Sequence, residues 1–553
     1  MVNLIQDTWI PAIREDTTEV CIAPWQVALD HETNPLIRLA APRPDFNGAL
    51  IQFLIGLMQT TCPPKNEREW FRKFESPPDE QYLRDSFERY AYAFELDGEG
   101  PRFMQDINLS EGNSWRIEQL LIEMPGENAL KENTDHFIKR NTVQQLCLPC
   151  CAMALYTLQT NAPSGGRGHR TSLRGGGPLT SIVISRTLWE TIWLNVIPSD
   201  SFTRYGNPEK QDENDIFPWL APTRTSESEG SETTPQHVNP AQMFWGMPRR
   251  IRLECDTTTK GICDLCGCSS DRLYTSYLTK NMGVNYSGNW QHVLTAYTNG
   301  KSGKLIPQKG QPGGISYRNW LGLIQSDTDR STIPAVVVHN FRSYRQNDLP
   351  ELPFRLWTFG YEMDKIKLFK PLCWYEGTMP LIKVNPLIRE DYEVVTAQLI
   401  KTATIVINKT KYAIWSAFYE PKKTETHDQK QKDSVKQERI KDNFKKTLFT
   451  SITFKFWQNT EAEFYKSLYL LKDMMENGED TNTAKWRWIG ILENEAETLF
   501  DDFTQLNMIG IADPKRISLA YKYLQDNTSK SNPEILKTLD LQPKNNSSEY
   551  NGR

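Results

Sequence analysis

Four cysteines in two CxxC pairs are the residues of this chain best suited to chemistry. Cys147 and Cys150 form one pair, and Cys263 and Cys266 form the other more than a hundred residues later. Each pair closes on a tight turn, and two pairs together can surround a single ion tetrahedrally. Four thiolates fill that shell, so the ion, read here as zinc, would be structural rather than catalytic. The gap between pairs exceeds that of a compact zinc ribbon, so the metal would clamp distant segments. Cys151, Cys255 and Cys268 stand beside the pairs as alternative ligands.

Beyond the first pair and an apolar segment of helical length lies NAPSGGRGHRTSLRGGG, with Gly165, Gly166 and Gly168 interleaved with Arg167, Arg170 and, further on, Arg174. Glycines let main-chain N–H groups approach a ligand closely, and guanidinium groups suit phosphates and base edges. A phosphate-binding P-loop is excluded, because the Lys needed before Thr/Ser is missing, His169 and Arg170 standing there instead, and the loop follows a helical segment, not a strand. A dinucleotide fingerprint fails on the same placement. The seven histidines are scattered. His169 and His339 read as loop or core contacts, and nothing argues for an enzyme. AVVVHNFR, from Ala335, reads as an apolar strand with His339 and Asn340 at its tip. Polar groups on such a tip can read a groove edge or wedge between bases, although a solvent-facing hairpin is the default.

The elements that must hold these residues divide the chain in two. At 553 residues, with 38% hydrophobic and 24% charged residues, the composition is that of an ordinary globular protein of two or three domains. The net charge of −5 gives no global attraction to polyanions, so a nucleic-acid surface must be a local basic patch. No stretch is long and apolar enough for a membrane span, and MVNLIQDTWIPAI is no signal peptide, which points to the cytoplasm. In that compartment clustered cysteines read as metal ligands rather than disulfides.

NLIQDTWIP should be a strand that stops at a turn on Pro11, and Asn47–Cys62 a buried helix. Lys210–Pro240 has the composition of a mobile loop. Alternating patterns place strands at Leu179–Ser185, Ile251–Cys255, Leu273–Tyr277, Ala335–Val338 and through Phe354–Trp374. Beyond Asn385 the period turns helical, over Tyr392–Phe418, Ser434–Trp457, Glu461–Met475, Lys485–Phe503 and Pro514–Leu524. The expected fold class is α+β, with a large mixed α/β domain over 1–380 carrying the zinc knuckle. A four-helix bundle over 385–542 and a disordered tail over 543–553 complete it.

NLIQDTWIP, GPRFMQ around Phe103, the CxxC followed by NAPSGGRGHRTSLRGGGP, CDLCG and AVVVHNFR together resemble the large subunit of the type I-E CRISPR surveillance complex, Cascade. The similarity is collinear over almost the whole chain. It implies a non-catalytic subunit that reads the protospacer-adjacent motif (PAM) of double-stranded target DNA, starts strand separation and helps recruit a helicase-nuclease. The implied partners are a CRISPR guide RNA and the other Cascade subunits. The family's glycine loop falls on Ser164–Gly168, with Arg167 where a further glycine can stand. Its PAM-contacting lysine falls on Lys280 or Asn281. Its strand-separating wedge falls on Asn340, with His339 beside it. Phe137 and Asn141 match the segment that meets guide RNA and neighbouring subunits. A metal-dependent nucleic-acid-processing enzyme, with fewer than four thiolates on its ion, is the alternative reading.

Overall fold

The computed structural model describes residues 2–124, 141–165, 168–256, 260–311, 313–364, 370–419, 432–505 and 513–543. Phe137, Gly166, Arg167 and the tail from 544 lie outside them. Two compact units result: Met1–Gln311 with Gly322–Leu381, and Pro312–Leu321 with Ile382–Arg553.

The first unit is organised on α1, Pro44–Thr61, apolar on nearly every face and buried along nearly its whole length, as its composition demands. Phe53 at its centre meets Trp9, Phe94, Phe103, Tyr156 and Trp245 edge-on, with centroids 5.5–5.9 Å apart. Edge-to-face packing sets the positive rim of one ring against the negative face of the next. Phe217 and Trp219 join this cluster, and both are fully buried. The expected mobile loop at Lys210–Pro240 is therefore corrected. Its Ser, Thr and Glu content dominates the composition, but two aromatic anchors pin short helical turns at Glu213–Ile216 and Pro218–Leu220.

Strands β1 (Ile10–Arg14), β2 (Glu19–Ile22) and β3 (Leu36–Leu39) form a sheet with β1 in the middle. Pro11 stands inside β1 opposite Cys21, and its carbonyl accepts from the Ala40 N–H at 2.8 Å. The expected turn at Pro11 is absent, because only the proline's missing donor is lost to the ladder.

A second sheet carries the candidate sites. Its hub, Leu273–Lys280, pairs antiparallel with β4 (Asn113–Arg116), β5 (Leu146–Cys147) and β7 (Arg250–Asp256). A third sheet joins β6 (Thr180–Ile184) to the hairpin Arg355–Asp364 and Lys370–Pro380. The helix α2, Leu148–Asn161, leaves β5 directly.

Val336–Asn340 is helical and continues as a π-helical turn, Phe341–Arg345. The expected strand there is thus overturned. The Val338 and His339 N–H groups both bond to the Ala335 carbonyl at 3.0 Å, and Val337 N–H reaches Val293 O at 3.2 Å. Three valines favour a strand locally, but burial on every side removes the alternation a half-exposed strand needs. Arg345 fixes the turn. It is 1% exposed, forks onto Glu67 at 3.0 and 3.1 Å, and lies 4.0 Å over the Trp70 ring.

The second unit contains Arg389–Phe418, Lys432–Glu476, Asn482–Gln505 and Pro514–Thr528. The two helices expected at Ser434–Trp457 and Glu461–Met475 are one. Thr460 donates to Phe456 O at 2.7 Å, satisfying its hydroxyl within the helix rather than breaking it. Pro312–Leu321 contributes Tyr317 to this core. Its ring stacks 4.3 Å from Phe464, and its hydroxyl lies 2.7 Å from that of Thr460. Among the described residues no helix is long and apolar enough to cross a membrane.

Candidate metal centre and glycine-loop surface

The Sγ atoms of Cys147, Cys150, Cys263 and Cys266 all lie within 4.8 Å of one another. Four thiolates bound to zinc at about 2.3 Å stand roughly 3.8 Å apart, so the cluster fits a closed tetrahedral site. Cys147 ends β5 and caps the N-terminus of α2, and Cys150 lies in the helix's first turn beside Pro149. The opposing pair sits on a reverse turn. Gly267 N–H bonds to Cys263 O and Cys263 N–H to Cys268 O, both at 2.9 Å, and Gly267 takes the left-handed φ of +71° that the turn requires.

Asp264 joins the two halves. Its carboxylate accepts from the Gln144 N–H at 2.6 Å and the Gln145 N–H at 2.9 Å. Contact with Cys147 and Cys263 pushes the Cys150 thiol up, while contact with Cys147 and Cys150 pulls Cys263 down. The thiols thus compete for protons at close range, and a cation among them would favour the thiolate form of all four. Of the alternative ligands, Cys151 is fully buried in α2 and Cys268 is exposed. Neither belongs to the group of four sulfurs.

Beyond α2 the chain crosses the end of the second sheet as the glycine loop. Gly168 has φ +83°, and a Cβ there would stand 2.7 Å from Met282 Sδ. The Met282 N–H donates to Gly168 O at 3.0 Å. The loop is therefore seated on the turn after the hub strand, which presents exposed Lys280 and half-buried Asn281. Gly165 is exposed and covers the Arg249 guanidinium. Gln159 holds the Arg249 backbone, accepting from its N–H and donating to its carbonyl, each at 3.0 Å. His169 lies between Arg249 and Trp115, whose ring centroid is 5.5 Å from the imidazole. Burial first, and then Arg249, pulls the His169 pKa down to about 4.

Arg170 donates to Ser226 Oγ at 2.8 Å. Arg174 turns away from any ligand. It is 4% exposed and bonds to Gln52, Thr180 and Thr295 at 2.8–3.0 Å. Its guanidinium serves the core, which corrects its reading as a phosphate contact. Asn141 accepts from Arg116 at 3.1 Å on the β4 side of the second sheet. His339 is exposed and Asn340 only 4% exposed, so the wedge position is not a projecting tip here. Sequence reasoning missed Met282, Arg249 and Trp115. The pair Arg249-Arg250 after Pro248 was a visible basic signal, but only strand pairing brings it to the loop.

A family model described as CRISPR-associated protein Cse1 matches residues 3–496. Among solved structures, Thermus thermophilus CasA (Cse1) is 16% identical with a TM-score of 0.66, covering 98% of this chain and 99% of its own. Thermobifida fusca Cse1 is 15% identical with a TM-score of 0.68, covering 98% of each. A chain of a CRISPR RNA-guided surveillance complex is 14% identical with a TM-score of 0.65, covering 96% and 99%.

Proposed function

The chain belongs to the family of CRISPR-associated protein Cse1, and from that premise we propose that it is the non-catalytic large subunit of a CRISPR RNA-guided DNA surveillance complex. It reads the PAM in double-stranded target DNA and starts strand separation. Its partners are the guide RNA, the other Cascade subunits and the helicase-nuclease recruited once the strands are open. The seating of the glycine loop on the Gly168–Met282 bond carries the reading. A glycine loop seated on the turn that follows the hub strand, whose last residue is exposed Lys280, can enter a minor groove and tolerate several related motifs. Base pairing with the guide then reads the remaining sequence.

The four-sulfur cluster supports a structural zinc that clamps the start of α2 to the Cys263–Cys266 turn. Four thiolates leave no open coordination position, which argues against the metal-dependent enzyme. Counting the sulfurs around the ion by X-ray absorption separates the two. For the favoured reading, the assembled complex is offered duplex targets that differ only in the PAM. Binding should depend on the PAM and fall when Gly168 is replaced by Asp. PAM-independent binding would sink the assignment.

A further inference from the structure

The turn that carries Cys263 and Cys266 has a weak attachment of its own. It is flanked by Gly261–Ile262 and Ser269–Ser270, a short hairpin that joins no other sheet among the described residues. An isolated two-stranded hairpin is marginally stable in water. Cys147 and Cys150 are better anchored. Their strand, β5, pairs with the hub at Leu273 and Tyr274, and α2 is buried over most of its length. A tetrahedral site needs both pairs, so the turn must be moored to the segment before Cys147.

Asp264, exposed and placed between the two cysteines of the turn, supplies that mooring. A single carboxylate oxygen, Oδ2, accepts from the N–H groups of Gln144 and Gln145 at 2.6 and 2.9 Å. The Asp264 N–H donates to the Gln145 carbonyl at 3.1 Å. The Gln145 side chain reaches back, its Nε2 donating to the Ile262 carbonyl at 3.0 Å. These bonds lace 144–145 to 262–264, and the two to the carboxylate are charge-assisted. None of them uses a sulfur, so none requires the ion.

We propose that Asp264 is a positioning residue that holds the four thiols together before the metal arrives. It is not itself a member of the ligand group. With the lacing in place, the turn already presents Cys263 and Cys266 to Cys147 and Cys150. Without it, the ion would have to order the turn, and affinity would fall by that cost. The inference rests on the structural-zinc reading for its ligand, whereas the lacing belongs to the metal-free chain.

The first arm of the test measures zinc affinity of the full-length chain by competition with a chromophoric chelator, well below the melting temperature. Asp264→Ala should weaken zinc binding about 10- to 100-fold, the range for residues that orient metal ligands from outside the coordination shell. Asp264→Asn keeps an oxygen in the same place and should recover most of that loss. Gln145→Ala removes only the bond to Ile262 and should give a smaller loss in the same direction. It also serves if Asp264→Ala fails to fold. Unchanged affinity in Asp264→Ala would overturn the proposal. Equal losses in Asp264→Asn and Asp264→Ala would overturn it too, since charge near the ion would then be the cause.

The second arm needs no metal. The chain is stripped with a chelator, and alkylation of individual cysteines is followed by mass spectrometry. Cys263 and Cys62, the latter at the end of α1, are both buried. Asp264→Ala should speed alkylation of Cys263 and leave Cys62 protected, and Asp264→Asn should restore the protection. Equal acceleration at both cysteines would mean a general loss of stability and would overturn the positioning role. So would a wild-type Cys263 that reacts as fast as the one in Asp264→Ala. If the wild type takes up no zinc, the structural-zinc reading falls, and the metal-free arm alone decides the lacing.

Discussion

Cys147 Sγ lies 3.6 Å from Cys266 Sγ although 119 residues separate them. The contact closes a long loop, and an ion at this point would hold the Cys263–Cys266 turn to the start of α2. Folding and metal binding are coupled in such a site. Cys263→Ser should therefore lose the bound metal and destabilise the first unit by more than about 4 kcal/mol. Metal content by mass spectrometry and a melting curve check it. Full metal content at an unchanged melting temperature would disprove the ligand set.

His169 gives an acid-side prediction. Its folded pKa, about 4, lies below the ordinary histidine value of 6.5. Burial also sends His292 well below it. Between pH 6.5 and 4 the unfolded chain binds protons that the folded chain refuses, so stability is full above 6.5 and declines as the pH falls. His169→Gln should make that decline shallower in denaturant titrations run across this window. An identical acid limb would show that His169 does not carry it.

Gly168 combines two constraints. Its φ of +83° is costly for any side chain, and Met282 fills the space a Cβ would need. Gly168→Ala should cost about 1–2 kcal/mol and weaken duplex binding. Adding Met282→Ala should relieve the collision but not the backbone strain, giving partial rescue. Complete rescue would mean that the conformation is irrelevant.

His339 and Asn340 are adjacent but differ in exposure. Asn340→Ala should lower the melting temperature by a few degrees, because it truncates a side chain only 4% exposed. His339→Ala, on the exposed side, should change stability by less than about 0.5 kcal/mol. If this turn separates the strands, His339→Ala should slow opening of a duplex target and leave a pre-opened one unaffected. Equal binding rates on both targets would remove this residue from strand separation.

The helical unit should depend on a segment far from it in sequence. A fragment of 382–543 lacks Tyr317, which is fully buried against Trp457 and Phe464. The fragment should melt at lower temperature than one carrying Pro312–Leu321 through a linker. Circular dichroism of the two decides it, and equal melting would show that Tyr317 contributes nothing.

What the sequence by itself determined was whatever local chemistry imposes. The CxxC spacing set the ligand types, because two thiols three positions apart close on one turn wherever they stand. The apolar run of α1 and the helical period after Asn385 were equally legible, since burial on all faces or on one stripe is written in the order of residues. The Cse1 family was legible too, from collinear motifs spread along the chain. What only the tertiary structure decided was whatever depends on distant partners. The valines before His339 favour a strand locally, yet packing on all sides made them a helical turn. Phe217 and Trp219 sit in a stretch of loop-like composition, and the aromatic cluster around Phe53 pinned them. Arg174 and Arg249 look alike in a sequence. One bonds to three core side chains, while the other fills the space beneath a glycine, because hydrogen-bond partners and the space left by a missing Cβ exist only once the chain has folded.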